Sequence, residues 1–385
     1  MRAKLIVDFG NSETRLLVSF VDNEGLKRNI ISRLPNKYKL MTFGVEVFKD
    51  PLNSFTPDTT YAYTVEGKNI CMGLFAEANY MHLEQPTPTL KKYQNETTLW
   101  AFPAVYKRAT EILDLVLGTD REEVVWDMYI CLPAQEKTNG TSKIKELVDK
   151  TLNVQFLYPE MSFDIRYEEV NIMPEGFSSL VACAFDMDKT PLDTDLLTGC
   201  TLVIDIGEGT TDLCVTKNGR LLSNSLYTIA YGGRNLLRSV RNVVVEEMGL
   251  RDQSDAVYEV LTQTGQYKMV NGVGIDITTQ LAGLRNELSR KVCTELTKYL
   301  ENTDFSMNDI ENVAIVGGGS IDKGANSIYR IIADYITNAI EKEDALHEPV
   351  AHEVETYDPV NGLQVSVPTD YVRLLNVIGA CIFSK

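Results

Sequence analysis

The sequence contains no run of eighteen or more apolar residues, which is about the length that a helix needs to cross a bilayer. Its first four residues lead at once into a short apolar segment that ends at Asp8, so we expect no secretion signal. With 44% hydrophobic residues among 385, the chain can form the cores of two or three domains. We therefore expect a soluble globular protein in the cytoplasm, with no membrane contact.

The patterns of structural metal sites and disulfide frameworks are also missing. The seven cysteines include no Cys-x-x-Cys pair, and most lie among apolar residues, which favours buried thiols in a reducing compartment. Only three histidines occur, and the separation of His347 from His352 is not that of a zinc-binding His-Glu-x-x-His helix. We interpret these two histidines as part of a solvated surface loop.

Positive charge is scarce in this chain. The 37 lysines and arginines are outnumbered by 54 aspartates and glutamates, which gives a formal net charge of −17. Because Lys and Arg contacts with phosphates supply most of the affinity for DNA, this balance argues against direct nucleic acid binding. Any role that involves DNA would therefore need an adaptor protein.

The most informative stretch that is present surrounds Asp205. Apolar residues 201–204 predict a buried strand that carries Asp205 into a turn with Gly207 and Gly209. Glycines let backbone amides approach a ligand closely, and Thr210 adds a hydroxyl donor. Such a turn suits phosphate, and a carboxylate beside it suits hydrated Mg²⁺, which needs only one or two carboxylates. The alternative is an ordinary hairpin with a polar tip.

A second copy of this pattern lies near the N-terminus. Apolar residues 5–7 lead into Asp8 and Gly10, which have the same separation as Asp205 and Gly207, and an apolar segment resumes at Thr14. A further turn follows in both copies, at residues 22–25 and 218–219. We infer two related halves that place Asp8 and Asp205 on opposite sides of one polyphosphate.

Strands and helices alternate along the rest of the chain, which predicts an α/β fold. The spacing of apolar residues predicts helices within residues 101–117, 141–152, 236–248, 281–300 and 326–340. Apolar runs at residues 124–132, 170–173 and 310–316 predict buried strands. Residues 35–100 are more polar and irregular, with one hairpin predicted around Glu66 and Gly67.

Five segments of the chain, in order, resemble the motifs of the superfamily that comprises actin, sugar kinases and heat-shock chaperone ATPases. Residues 8–12 resemble its first phosphate motif, and residues 205–212 resemble its second. Residues 173–176 and 375–380 resemble the two inter-domain connectors, and residues 313–320 resemble the adenosine motif. The resemblance implies an actin-like fold in which two related ribonuclease H-like lobes flank a nucleotide cleft.

The same resemblance implies a domain division and a set of ligand residues. Domain I would comprise residues 1–178 with 368–385, including a small variable lobe within residues 35–100, and domain II would comprise residues 179–367. The cofactors would be ATP or GTP and Mg²⁺, with the metal held by Asp8 and Asp205 through water. The implied nucleotide-binding residues are Gly10, Asn11, Ser12, Gly207, Glu208, Gly209, Thr210, Gly317, Gly318 and Gly319.

Within the superfamily, the Met-Pro-Glu connector at residues 173–175 most resembles the ParM-like actins that segregate bacterial plasmids. In that family the connector glutamate orients the water that attacks the γ-phosphate, which implies a catalytic role for Glu175 together with Asp205 and Asp8. The other interpretation of Glu175 is a helix N-terminal residue favoured by the helix dipole. The sequence departs from the usual family pattern at Glu208.

The resemblance therefore implies an ATPase or GTPase that polymerises with itself and segregates plasmid DNA through a ParR-like DNA-bound adaptor. A small-molecule kinase of the same superfamily is the alternative. A third possibility is a cell-shape or division actin such as MreB or FtsA. Those proteins commonly bind membrane through an amphipathic terminal helix, which we do not find at either end of this sequence.

Overall fold

The computed structural model describes residues 1–10, 13–36, 38–49, 56, 59–73, 75–76, 96–133, 136–250, 255–269, 272, 274–303, 305–342 and 344–384. The chain forms two compact units. Unit 1 comprises Met1–Thr190 and Ala351–Lys385, and unit 2 comprises Pro191–Val350. These limits differ from the predicted domain limits, because residues 179–190 and 351–367 lie in unit 1 rather than with the second half of the chain.

Unit 1 is a mixed α/β unit. Its strands are β1 (Arg2–Phe9), β2 (Glu13–Val21), β3 (Lys27–Pro35), β4 (Tyr38–Leu40), β5 (Thr60–Val65), β6 (Lys68–Gly73), β7 (Val125–Leu132), β8 (Asn153–Tyr158), β9 (Glu160–Asp164), β10 (Arg166–Pro174), β19 (Val354–Asp358) and β20 (Gly362–Ser366). Its α-helices are α1 (Glu96–Leu117), α2 (Lys137–Asp149), α3 (Phe177–Ala184) and α8 (Leu375–Phe383).

The main sheet of unit 1 has seven strands in the order β10-β7-β1-β2-β3-β19-β20. Strands β10, β7 and β1 are parallel, whereas β2 is antiparallel to both β1 and β3. Because parallel strands end at the same edge, the carboxyl ends of β1 and β10 bring Asp8 and the turn after Pro174 to one edge of the sheet. Strand β19 joins this sheet by pairing with β3, which explains why residues 354–366 belong to unit 1.

A second sheet of unit 1 has the order β4-β6-β5-β8-β9. Strands β5 and β6 form the predicted hairpin, with Glu66 and Gly67 at positive φ in its turn. The sequence analysis confined the small lobe to residues 35–100, but this sheet also takes β8 and β9 from residues 153–164. The predicted hairpin is therefore confirmed, and its sheet is completed by a segment far along the chain.

Unit 2 repeats the order of strand types seen at the start of unit 1. Its strands are β11 (Cys200–Ile206), β12 (Thr211–Lys217), β13 (Arg220–Leu221), β14 (Tyr227–Ile229), β15 (Gln266–Lys268), β16 (Gly274–Asp276), β17 (Asn312–Val316) and β18 (Leu346–His347). Its α-helices are α4 (Gly233–Asn242), α5 (Asp255–Thr264), α6 (Thr278–Glu301) and α7 (Ile328–Ile340). Strand β11 is antiparallel to β12 and parallel to β17, so β11 and β17 also end at a common edge.

The core of unit 2 follows from the apolar pattern of its helices. The stripe on α6 that the sequence predicted as core packing is buried, including Leu288, Val292 and Leu296. Helix α7 buries Ile332 and Ile336 in the same cluster. Between residues 236 and 248 the predicted helix is α-helical only to Asn242 and continues as one π-helical turn over Val243–Glu247.

The interpretation of the two histidines as a solvated loop is wrong. His347 lies in β18, where its ring nitrogens are 2.7 Å from Asp193 Oδ2 and 3.1 Å from Asn312 Oδ1. His352 is buried and donates from Nε2 to the carbonyl of Ala182 at 2.7 Å. Each histidine therefore forms hydrogen bonds to a distant segment of its own unit. The prediction of buried thiols agrees with the structure, in which all seven cysteines are free and buried.

Candidate functional site

The two acidic turns predicted from the sequence belong to hairpins with the same register. In unit 1 Asp8 pairs across the β1–β2 ladder with Arg15, and in unit 2 Asp205 pairs across the β11–β12 ladder with Asp212. Each aspartate is the next-to-last residue of its strand, and each is buried, with 2% and 6% of its surface exposed. The sequence repeat is therefore also a repeat of backbone geometry.

In unit 2 the turn after β11 is closed by a hydrogen bond from the Gly207 amide to the Thr210 carbonyl at 2.8 Å. Residues 207–210 are all half-buried. The Thr210 hydroxyl donates to Asp212 at 3.0 Å, and the Thr228 hydroxyl donates to the other oxygen of the same carboxylate at 2.6 Å. These bonds keep the threonine and the second aspartate in fixed positions beside the turn.

The turn at Gly232 and Gly233 packs directly on the turn after β11. The Gly233 amide donates to the Gly207 carbonyl at 3.1 Å, and the Arg234 amide donates to the Glu208 carbonyl at 2.6 Å. A Cβ on Gly232 would lie 2.7 Å from both of these carbonyl oxygens, so only glycine fits there. The sequence analysis did not include this turn among the candidate site residues.

Glu208 also contacts this turn through its side chain. Its Oε1 lies 3.3 Å from a guanidinium nitrogen of Arg234, and each side chain of the pair is a little over one quarter exposed. The other oxygen, Oε2, is shielded from solvent and has no hydrogen-bond partner among the described residues. Arg234 is a site residue that the sequence analysis missed, because only the packing of the two turns brings it to Glu208.

A third turn, at residues 317–319, directly follows β17 and lies against Asp205. Gly317 has φ +82, and a Cβ there would overlap Oδ1 of Asp205 and lie 2.7 Å from the Ile206 carbonyl oxygen. A Cβ on Gly319 would overlap the Ile206 side chain. The structure therefore brings together the predicted residues of the second phosphate motif and those of the adenosine motif at one edge of unit 2.

A pocket of about 370 Å³ is lined in part by Tyr231, the residue that directly precedes the Gly232 turn. The other lining residues are on the polar side of α6 and include Glu287, Arg290, Lys291 and Thr294. Lys291 is 2.7 Å from Glu287 and its ammonium lies 5.7 Å from the centre of the Tyr231 ring. The sequence analysis considered only the apolar stripe of α6, so it missed this pocket.

In unit 1 Asp8 forms an ion pair with Arg15, whose guanidinium nitrogen lies 3.1 Å from Asp8 Oδ2. Arg15 also contacts Glu13 at 2.9 Å. Burial alone would lower the pKa of the Arg15 guanidinium, but the carboxylates of Asp8 and Glu13 raise it above its ordinary value. Arg15 is a second residue that the sequence analysis missed, and the β1–β2 register is what brings it to Asp8.

Gly10 is required by the backbone, since a Cβ there would lie 2.5 Å from the Glu13 carbonyl oxygen. The Asn36 side chain donates to the Gly10 carbonyl at 2.6 Å. The other two predicted ligands of this motif, Asn11 and Ser12, lie outside the described residues. The structure therefore places Asp8 and Gly10 at the edge of the sheet and leaves the rest of the motif a prediction.

Glu175 follows β10 at the same sheet edge and is buried, with 7% of its surface exposed. Its amide donates to the Leu132 carbonyl at the end of β7. Asn376 of α8 fixes the next turn, because its Oδ1 accepts from the Gly176 amide at 3.2 Å and from the Ser179 hydroxyl at 2.9 Å. Asn376 thus fixes the turn directly after Glu175, and the sequence analysis did not include it among the site residues.

The helices that carry the two predicted connectors pack closely against each other. A Cβ on Gly379 would overlap the Ser178 carbonyl oxygen and lie 3.1 Å from the Ala182 amide nitrogen. Helices α3 and α8 therefore pack backbone to backbone, which requires glycine on α8. Gly176, at φ +71, is the N-cap residue of α3 and directly follows Glu175.

The glycine turns and buried aspartates of the candidate site fit a polyphosphate accompanied by magnesium. No group of three or more His, Cys, Asp or Glu side chains suited to a metal occurs in the described part of the chain. Mg²⁺ keeps most of its waters and commonly binds one or two carboxylates together with phosphates. The glycine turns that no Cβ could occupy and the buried Oε2 of Glu208 are features that a bound phosphate and its metal would use.

Two units, each with a central mixed sheet and a strand, acidic turn and antiparallel strand at its start, define an actin-like fold. Residues 203–326 match the family described as archaeal actin homologue MreB-like, C-terminal. No curated protein matches the chain by sequence. The predicted α/β fold class, with its actin-like architecture, is confirmed.

Solved structures of actin homologues match the chain over nearly its whole length. A ParM filament from Clostridium botulinum has a TM-score of 0.64 at 14% identity, covering 99% of this chain and 98% of that one. The actin-like protein Alp7A has a TM-score of 0.63 at 16% identity, covering 100% and 96%. Ta0583, an archaeal actin homologue in complex with ADP, has a TM-score of 0.62 at 13% identity, covering 98% of each chain. At these identities the likeness establishes the fold, and it confirms the resemblance to ParM-type actins at that level.

A search of the described helices for a membrane span finds none that is both long and apolar enough.

Proposed function

We propose that this protein binds and hydrolyses ATP or GTP with Mg²⁺, and that the nucleotide state controls its assembly into filaments that segregate plasmid DNA through a ParR-like adaptor. The observation that carries the nucleotide part is the packing of the Gly232 turn on the turn after β11, together with the approach of the Gly317 turn to Asp205. The turns after β11 and β17 lie at the carboxyl ends of parallel strands, a position at which glycine-containing turns commonly bind anions. The proposal assigns the phosphates to the turn after β11.

The proposed nucleoside contacts come from the Gly317 turn and from the pocket between Tyr231 and α6. A flat base and a ribose need an amphipathic pocket with a few convergent polar groups, and this pocket offers the Tyr231 ring beside Glu287 and Lys291. Its volume of about 370 Å³ is at the lower end of the range for small-molecule sites. The proposal therefore adds α6 to the nucleotide-binding residues predicted from the sequence.

The proposed hydrolytic residues are Glu175 and Asp8 of unit 1 and Asp205 of unit 2. Glu175, whose amide donates a hydrogen bond to the Leu132 carbonyl and whose neighbour Gly176 donates to Asn376, orients the attacking water. Asp8 and Asp205 would hold Mg²⁺ through water, and the metal, when bound, would supply neutralisation of the charge on the phosphates. Arg15 carries a permanent positive charge next to Asp8, and it is therefore a proposed contact for a phosphate oxygen.

The filament and segregation parts of the proposal have separate support. The ParM structure that this chain resembles is a filament, and ParM-like actins are the relatives in which the Met-Pro-Glu connector occurs. The net charge of −17 means that copies of the chain repel one another in solution, so assembly would need specific contacts that a nucleotide could strengthen or weaken. The same charge supports an adaptor rather than direct contact with DNA.

The test combines light scattering with phosphate release from the purified protein. Addition of Mg²⁺ with ATP or GTP should produce polymer, and comparison of the two nucleotides gives the preference. Nucleotide binding without polymer at any protein concentration would contradict the filament part. ADP release stimulated by a small acceptor, again without polymer, would support the kinase alternative.

A substitution separates assembly from hydrolysis. Glu175→Ala should still polymerise but should release phosphate about 100-fold more slowly, because it removes the group that positions the nucleophile. Glu169, an exposed glutamate on the same strand, provides the matched control, and Glu169→Ala should hydrolyse at the wild-type rate. Wild-type turnover in Glu175→Ala would remove the proposed role of Glu175.

A further inference from the structure

Asp8, Arg15 and Arg33 lie in one row across the first three strands of unit 1. Asp8 pairs with Arg15 in the β1–β2 ladder, and Arg15 pairs with Arg33 in the β2–β3 ladder. Two like charges directly opposite each other repel, so each arginine needs an acid beside it. Glu13 contacts both, since its carboxylate is 2.9 Å from Nε of Arg15 and 3.8 Å from Nη1 of Arg33. Glu13 would therefore have to serve both guanidinium groups if no further acid were present.

Asp370 is that further acid, and it directly precedes the short 3-10 turn Tyr371–Arg373 that leads into α8. Its two oxygens accept hydrogen bonds from Nη1 and Nη2 of Arg33 at 2.7 and 2.8 Å, a bidentate geometry. The bond from Arg33 holds the pKa of Asp370 below its ordinary value, so Asp370 is ionised at neutral pH. Because Asp370 binds the Arg33 guanidinium, Glu13 is left to Arg15.

The position of the Arg15 guanidinium depends on two acids. Its Nη1 is 3.1 Å from Asp8, and its Nε is 2.9 Å from Glu13. The group lies beside the turn after β1, since a Cβ on Gly10 would be 3.4 Å from Nη1 and 3.7 Å from Nη2. If Arg33 were released, its positive charge would compete for Glu13, and Arg15 would lose one of the two acids.

We propose that Asp370 is a positioning residue for Arg15: by binding Arg33, it leaves Glu13 to Arg15 and keeps the Arg15 guanidinium at the Gly10 turn for the phosphates of a nucleotide. This inference rests on the proposed nucleotide-binding function. The competing explanation is that the Arg33–Asp370 pair only attaches the C-terminal segment to β3. The two explanations differ in what happens when both members of the pair are removed.

The experiment measures the affinity of fluorescent ATP and GTP analogues, with Mg²⁺, for the wild type, Asp370→Asn, Arg33→Gln and the double variant. Asp370→Asn keeps the shape of the side chain but removes the charge that holds Arg33. Nucleotide binding should therefore weaken about five- to tenfold, because Arg33 then competes for Glu13. In Arg33→Gln and in the double variant the competing charge is absent, so both should bind within about twofold of the wild type.

Asp127 provides the matched control, because it binds Arg2 through both oxygens, at 2.6 and 2.9 Å, at the amino end of β1. Asp127→Asn should leave the affinity unchanged. If the Arg33–Asp370 pair only attaches the C-terminal segment, Arg33→Gln and the double variant should bind no more tightly than Asp370→Asn, and that result would overturn the inference. Unchanged or tighter binding by Asp370→Asn would also overturn it. Failure of the wild type to bind either analogue would instead refute the proposed function, so the two failures are distinguishable.

Discussion

The close approach of Gly317 to Asp205 gives a prediction whose size can be worked out from the structure. Gly317→Ala places a side chain at φ +82, which costs about 1 kcal/mol for an L-residue. The new Cβ also overlaps Oδ1 of Asp205 and lies 2.7 Å from the Ile206 carbonyl, and relief of such overlap in a packed region costs about 1–3 kcal/mol more. The expected total is therefore about 2–4 kcal/mol of unfolding free energy.

Gly272 provides the control for this substitution, because it has the same φ of +82 but no atom of the described residues within 4 Å of the place that a Cβ would take. Gly272→Ala should therefore cost only the backbone strain, about 1 kcal/mol. Scanning calorimetry can measure both variants, and in a unit of this size each kcal/mol lowers the transition temperature by about 2–4 °C. Equal losses in the two variants would refute the close approach of the Gly317 turn to Asp205. Nucleotide affinity should fall only in Gly317→Ala, because only that turn belongs to the proposed site.

Two further predictions concern the buried polar contacts of unit 1. Asn376→Ala leaves the Gly176 amide and the Ser179 hydroxyl without their acceptor, so the free energy of unfolding in a denaturant titration should fall by about 1–3 kcal/mol. The same variant should slow hydrolysis more than it weakens nucleotide binding. Asn376→Asp keeps an acceptor and should recover most of the turnover if the contact positions Glu175. Burial lowers the pKa of His352 below its ordinary value, so as the pH falls the unfolded chain takes up a proton before the folded chain does, and the free energy of unfolding should fall below about pH 6.5. The free energy of unfolding of His352→Gln should depend less on pH between about 5 and 7. An unchanged pH dependence in that range would contradict the lowered pKa of His352.

The parts of the fold that depend on local pattern could be predicted from the sequence. The β5–β6 hairpin has its turn at Glu66 and Gly67 as expected, and the predicted strand at residues 124–132 is β7. The apolar stripe of α6 is buried as predicted. Each of these features depends on a pattern of apolar and turn residues within one short segment, so that segment alone is enough to predict it.

The parts that the sequence did not reveal depend on pairing between distant segments. Strands β8 and β9 complete a sheet that begins more than a hundred residues earlier at β4, and nothing within residues 153–164 indicates that partner. The contact of His352 with Ala182 is of the same kind, because the histidine is buried only where the chain re-enters unit 1 after Val350. Composition alone indicated a polar loop there.

The same distinction applies within the candidate site. Glycines that face a ligand or a neighbouring backbone are visible as motifs, and Gly10, Gly207 and Gly317 were found in that way. The charged and polar residues that complete the site do not stand out in the motifs. Arg234 reaches Glu208 because the Gly232 turn packs on the turn after β11, and Asn376 reaches Gly176 because α8 packs on α3. Arg234 and Asn376 therefore reach the site only through the packing of distant segments, which the motifs do not indicate.

The two hairpins that carry Asp8 and Asp205 share one register but differ at the position opposite the aspartate. Unit 1 has Arg15 there, and unit 2 has Asp212, held by two threonine hydroxyls. The same backbone therefore presents a cation next to the acid in one unit and a second acid in the other. The first arrangement, in which Arg15 lies between Asp8 and Glu13, repels an anionic ligand less than the second, in which Asp205 and Asp212 face each other without a cation between them among the described contacts. We therefore expect substitution of Asp205 or Asp212 to change the Mg²⁺ dependence of nucleotide binding, whereas Arg15→Gln should weaken nucleotide binding both with and without metal, because it leaves Asp8 and Glu13 without their cation.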